Sequence, residues 1–142
     1  EVVQNSHVLF INDAELRMLG DHYNLIQAAK TVMDAAPSLD VLVLKRGEHG
    51  ASLFGRDGVY MSVGAYPIAL VKDPTGAGDS FAGGFLGVMT DKPWTLENLR
   101  NALLVGSVTA SFTVQEFGAD SLLATTSKDI DRRRQELIKI IN

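Results

Sequence analysis

Asp73-Pro74-Thr75-Gly76-Ala77-Gly78-Asp79 is the segment whose residue types and spacing can do chemistry. Pro74 fixes a turn after an extended residue, and two glycines flanking an alanine leave the backbone uncovered by side chains. The small, apolar run from Ser80 to Met89 predicts a helix directly after the loop. The start of such a helix binds anions, because its unsatisfied N–H groups and its dipole point the same way. Asp79 falls in the first turn, beside that anion site. If the anion is a phosphoryl group in transfer, a carboxylate there can take the proton of an attacking hydroxyl. A plainer reading of the same residues is a turn that caps a helix, with Asp79 favourable near the dipole. Better-known loops do not fit. No Gly-Lys-Ser/Thr follows the glycines, a dinucleotide GxGxxG from Gly76 meets Phe81 in its last place, and a Gly-x-Ser-x-Gly elbow around Ser80 ends on Ala82.

The elements that must carry this loop alternate. His7–Ile11 reads as a buried strand, and Asn12 or Asp13 caps a helix through Leu19 that Gly20 ends. A second helix is predicted from about Asn24 to Ala36, with Leu25, Ile26, Ala29, Val32 and Met33 on one face and Pro37 closing it. Asp40–Lys45 has the continuous aliphatic pattern of a parallel strand buried on both faces. Ala51–Phe54 and Val59–Val63 read as a hairpin around Gly55-Arg56-Asp57-Gly58. A strand or extended segment at Ile68–Lys72 leads into the loop. A long helical pattern runs from Leu96 to about Phe117, and Lys128–Ile141 makes a last amphipathic helix with Ile130, Leu137, Ile138 and Ile141 inward. The order predicts an α/β fold with right-handed crossovers, in a single domain over residues 1–142.

The composition excludes several function classes. The chain has 142 residues, 46% hydrophobic and 21% charged, the balance of a globular protein. With Cys 0 it can have no disulfide scaffold, thiolate metal site or cysteine nucleophile. A net charge of −4 argues against a nucleic-acid partner. No apolar run approaches the roughly 18 residues of a membrane span, and the N-terminus lacks the pattern of a signal peptide. No membrane partner and a cytoplasmic location are therefore expected. The chain opens at Glu1 without a Met, as a piece of something longer would.

Asp73 through Phe85 resembles the second signature of the ribokinase-like (PfkB) carbohydrate and nucleoside kinases. Asn12-Asp13-Ala14-Glu15, straight after a strand, matches the family's Asn-x-x-Glu motif. Lys45-Arg46-Gly47-Glu48-His49-Gly50-Ala51 is similar to its strand-end Thr/Lys-x-Gly-x-x-Gly-Ala segment, and the helix end at Phe117-Gly118-Ala119 resembles the stretch that closes its nucleotide site. The resemblance implies a three-layer α/β/α fold, with helices on both faces of a mostly parallel sheet that includes the hairpin. It implies ATP-dependent phosphoryl transfer to a hydroxyl of a small sugar or nucleoside.

Carried over residue by residue, the resemblance makes Asp79 the catalytic base and Gly76, Ala77 and Gly78 the anion hole. Asn12 and Glu15 help hold Mg²⁺ and phosphate through water. Lys45 and Gly47 line the nucleotide, Gly106, Ser107 and Ala110 wall the adenine, and Asp73 takes a monovalent cation such as K⁺. Family members run to about 300 residues, around twice an ordinary domain. This chain resembles their C-terminal half, without the part that holds the acceptor, so a non-catalytic nucleotide- or phosphate-binding fragment is the alternative reading. The missing strands should also leave a sheet edge that invites pairing, for instance as a homodimer.

Other residues have plainer roles. Asn12 and Glu15 also satisfy a capping box, and Lys45 equally suits a solvated strand end. Gly83, Gly84 and Gly87 read as helix-packing positions, Trp94 as a packing anchor, and Phe112 and Phe117 as core. His7, His22 and His49 do not cluster, and Arg132-Arg133-Arg134 reads as a solvated helix face.

Overall fold

A computed structural model describes residues 2–118 and 120–141, the last by its backbone. They fall into two compact units, residues up to Gly47 with Ala51–Ser62, and Glu48–Gly50 with the chain from Val63 on.

In the first unit the opening apolar run becomes β1 (Val8–Asn12), followed by α1 (Asp13–Gly20) and α2 (Leu25–Ala35). The side chain of Asn24 caps α2 by accepting from Ile26 and Gln27 N–H. Gly20 does not end α1 through a left-handed backbone, since Asp21 takes that conformation at φ 48°. Its role is steric: a Cβ there would stand 2.6 Å from the Ala28 backbone, so α1 and α2 cross where neither can carry bulk. Leu16, Ala28, Ala29, Val32 and Met33 pack with Leu42 and Leu44 of β2 (Val41–Lys45) into one core. Ile26, expected on that face, is 63% exposed, and Ala28 takes the inward position instead.

β2 is buried at its first four positions, as its uninterrupted aliphatic pattern requires. It pairs in parallel with β1 and antiparallel with β3 (Ala51–Gly55), in a sheet of order β1-β2-β3-β4 that ends on β4 (Tyr60–Val63). This sheet is mixed rather than mostly parallel. Short connections at Gly47–His49 and Arg56–Gly58 can only return a chain antiparallel, because a parallel partner needs a long crossover. Residues 68–72 add no strand: the amide of Lys72 bonds the Val114 carbonyl at 2.8 Å instead of a ladder partner.

The second unit is helical. α3 (Ala77–Met89) lies along α4 (Leu96–Thr113), with α5 (Asp120–Ala124) and α6 (Ser127–Ile141) completing it. α3 and α4 approach closely at Gly84 and Gly106. A Cβ on Gly84 would meet Thr109 Oγ1 at 2.6 Å, and one on Gly106 would meet the Phe81 carbonyl oxygen at 2.9 Å. Among the described residues nothing lies within 4 Å of where a Cβ on Gly83 or Gly87 would stand, so neither packs against another helix here. Phe81, Phe85, Leu103, Val108, Phe112 and Leu137 form the core here. α4 ends at Thr113, short of the expected Phe117, which is 69% exposed; Trp94 is likewise half exposed. Ala119 and the Ile141 side chain, both part of the sequence reading, lie outside the described residues.

Arg133 is no solvated arginine. Its guanidinium lies 3.6 Å from the centroid of the Phe112 ring and 4.6 Å from that of Tyr66, and donates to Ser111 Oγ and Gln115 Oε1. Burial lowers its pKa. Tyr66 donates its hydroxyl to Glu136 at 2.6 Å, a bond that raises the phenol's pKa. These contacts tie residue 66 to α6. Arg133→Met keeps the stem but loses the stacking and polar contacts, and is expected to cost about 1–2 kcal/mol. Urea unfolding measures it, and an unshifted midpoint contradicts the stack.

α6 starts on a reciprocal cap. The Thr126 amide donates to Asp129 Oδ2 at 3.1 Å, and the Asp129 amide returns a bond to Thr126 Oγ1 at 3.3 Å. Hydrogen bonds from Thr126 hold the Asp129 carboxyl below the usual carboxylate range. A depressed folded pKa means stability that is present above the unfolded value and lost as pH falls through the folded one. Asp129→Asn is therefore expected to be less stable than wild type near neutral pH. The gap should close below the ordinary aspartate value of about 3.9. Unfolding curves from pH 7 to pH 2 check this, and a gap that does not narrow as pH falls below that value refutes it.

Candidate active site

α3 opens on Gly76, whose backbone is left-handed at φ 79° and ψ −5°. That conformation, not space, requires glycine: the nearest atom to a Cβ there is the Thr113 methyl, 3.8 Å away. Before it, Asp73 Oδ1 accepts the Thr75 amide at 2.9 Å, and the Ala77 amide bonds the Pro74 carbonyl at 3.2 Å. The Ser80 amide closes the first helical bond onto Gly76 at 2.9 Å. Gly76 has no side chain to cap the helix, so among the described residues no N-cap side chain accepts from the amides of Gly78 and Asp79. Asp79 is exposed in this first turn, where the helix dipole favours its negative charge. Bonds from Thr75, then from the Gly118 backbone, lower the pKa of Asp73 and favour its charged form.

The first unit assembles a second group. β1 and β2 run parallel with Asn12 opposite Lys45 at their carboxyl ends, where α/β sheets commonly bind ligands. Asn12 and Glu15 form the complete capping box: Asn12 Oδ1 accepts the Glu15 amide at 2.8 Å, and Glu15 Oε2 accepts the Asn12 amide at 3.0 Å. Capping fixes the Glu15 carboxylate at the strand end while leaving it exposed. Lys45 is half-buried on β2, and Gly47 follows in the next turn at φ 55°.

The helix positions named from sequence lie on α4. Ser107 is buried and donates to the Gly64 carbonyl at 3.1 Å, Gly106 is taken up by the contact with Phe81, and Ala110 is half-buried. Sequence reasoning missed the residues after them. Thr113 Oγ1 donates to Ser80 Oγ at 2.7 Å, the Val114 carbonyl accepts from Lys72, and Lys72 Nζ pairs with Glu116 at 2.6 Å. These groups stand more than thirty residues from the loop in sequence, with no local motif to mark them.

The pfkB family carbohydrate kinase model matches residues 1–126. The chain belongs to this family. The pfkB relatives include a nucleoside kinase of Methanocaldococcus jannaschii, 29% identical over 138 residues that make up 97% of this chain and 42% of that protein. A cytidine kinase of Thermococcus kodakarensis is 38% identical over 61% of this chain and 30% of its own length. The chain thus spans well under half the length of these relatives. Among solved structures, a putative ribokinase II from E. coli, in complex with ATP and Mg²⁺, superposes with a TM-score of 0.79. It is 22% identical, with 95% of this chain and 41% of that one covered, and shares the α/β ribokinase fold.

Proposed function

We propose that this chain is the nucleotide-binding part of a pfkB kinase that transfers the γ-phosphoryl group of ATP to a hydroxyl of a small sugar or nucleoside. One observation carries the reading: a glycine-capped helix start presents the bare amides of Gly78 and Asp79, with a carboxylate in the same turn, inside a family match that spans the loop. The Gly76–Gly78 loop forms the anion hole, where the Gly78 amide, with that of Asp79 beside it, stabilises charge developing on the phosphoryl oxygens, while the Ala77 amide is already bonded to the Pro74 carbonyl. Asp79 accepts the proton of the acceptor hydroxyl as its oxygen bonds to phosphorus and the bond to ADP breaks. Lys45 and Gly47 lie along the nucleotide; Gly106, Ser107 and Ala110 border its base.

Among the described residues no group of three or more His, Asp or Glu could cage a metal. Mg²⁺ keeps its waters and is carried largely by substrate phosphates. Asn12 and Glu15 offer hard oxygen atoms to that water shell, and the metal would neutralise phosphate charge. Asp73, whose charged form its hydrogen bonds favour, is the candidate for K⁺. Among the described residues no helix is long and apolar enough to cross a membrane.

A second reading rests on length. The chain covers 42% of the nucleoside kinase, and on this reading it holds nucleotide or phosphate by itself without catalysing transfer. Titrating the folded chain with Mg·ATP and Mg·ADP, then assaying phosphoryl transfer to a panel of sugars and nucleosides, tests both. Weak binding without transfer is expected for residues 1–142 alone. A folded sample that takes up no nucleotide at millimolar concentration overturns the proposal.

A further inference from the structure

The segment after α4 and the loop before α3 are laced together at several points. The Val114 carbonyl accepts the Lys72 amide at 2.8 Å and lies 3.4 Å from that of Asp73, and Lys72 pairs with Glu116 outside them. Thr113 sits beneath this strapping and is 4% exposed. Its hydroxyl has one proton and two acceptors in range, Ser80 Oγ at 2.7 Å and the Thr109 carbonyl at 3.5 Å. The shorter contact takes it. Threonines late in a helix usually bond back to the carbonyl four residues earlier. Here the bond is spent across the helix pair, on the residue immediately after Asp79. The methyl of the same side chain faces Gly76, 3.8 Å from where a Cβ would stand.

We infer that Thr113 is a positioning residue: its hydroxyl through Ser80, and its methyl beneath Gly76, fix the first turn of α3 so that the Gly78 and Asp79 amides face outward together. Thr113 touches no reacting atom. It sets the direction of groups that do, and a small change of angle at bound phosphate is expensive because that hole works by being already in place. The inference rests on the anion-hole reading of Gly76–Gly78, and two measurements separate them.

Thr113→Val keeps the shape and the methyl and removes the hydrogen bond, whereas Thr113→Ser keeps the hydrogen bond. Amide hydrogen exchange at Ala77 and Ser80, whose amides are bonded to the Pro74 and Gly76 carbonyls, referenced to Val88 and Met89 at the far end of α3, reads the loop directly. In the chain of residues 1–142, Thr113→Val is expected to speed exchange at the loop amides by about tenfold relative to that reference, the worth of one hydrogen bond. Mg·ADP affinity should fall by a similar factor, and Thr113→Ser, which keeps the bond but not the methyl, should restore most of both. Ser80→Ala cuts the same bond from the other end and gives the same readout should Thr113→Val not fold. Freed loop amides in a chain that binds no nucleotide would uphold the positioning role and remove the nucleotide reading. Loop amides as protected in Thr113→Val as in wild type overturn the inference, as does nucleotide affinity that is unchanged.

Discussion

Asp79→Asn is expected to abolish phosphoryl transfer by the protein that carries this chain while leaving nucleotide affinity almost intact. The amide fills the same volume in the first turn of α3 and keeps a polar group beside the exposed N–H groups. It cannot take up the hydroxyl proton, so the attacking oxygen stays a poor nucleophile. Loss of a general base typically costs about 10²–10⁴ in rate. On binding, the substitution removes a negative charge next to the incoming phosphate, while the lost interaction of the carboxylate with the helix dipole weakens α3 alike with and without nucleotide. Affinity should therefore not fall, and the loss should appear in kcat and not in nucleotide Kd. Steady-state kinetics with a nucleotide titration on the same variant decide it. A kcat within tenfold of wild type would place the proton acceptor elsewhere.

The sequence exposed the parts of this molecule whose cause is local. The aliphatic run of Val41–Leu44 forms a strand buried at each of those positions, and Asn12 to Glu15 makes the reciprocal cap its spacing called for. The glycine loop also begins its helix where small residues allow, though at Ala77 rather than Ser80. What stayed hidden is decided by distant contacts. Arg133 looks like one of three equivalent arginines until Phe112 and Tyr66 are seen against it. Ile26 has the right helical spacing but loses its place to Ala28, because α1 crosses α2 so closely at Gly20 that only a small side chain fits. The mostly parallel sheet came from the resemblance, and the short returns after β2 and β3, one of them the hairpin read from sequence, make the sheet of this chain mixed. Thr113 has no signal at all in sequence.

Gly106 separates two roles that sequence alone leaves tangled, wall of the adenine site and contact between helices. As a packing residue it should be intolerant of any side chain. A Cβ would stand 2.9 Å from the Phe81 carbonyl oxygen and 3.2 Å from its ring, and neither backbone nor buried ring has room to give. Gly106→Val adds two more methyl groups to that clash. Overpacking of this kind costs about 1–3 kcal/mol, and the gain in helix propensity over glycine recovers only a few tenths for a β-branched residue. Gly83→Ala, one turn from the loop and facing open space, should do the opposite. It removes a flexible residue from a helix interior at no steric cost and is expected to stabilise by about 0.5–1 kcal/mol. Thermal or urea unfolding of both variants therefore gives shifts of opposite sign. If Gly106→Val instead weakens nucleotide binding at unchanged stability, the close approach of α3 and α4 is not what glycine serves there. A folded, destabilised Gly106→Val should also disturb the candidate site, since the helix it pushes away is the one whose first turn presents Gly78 and Asp79.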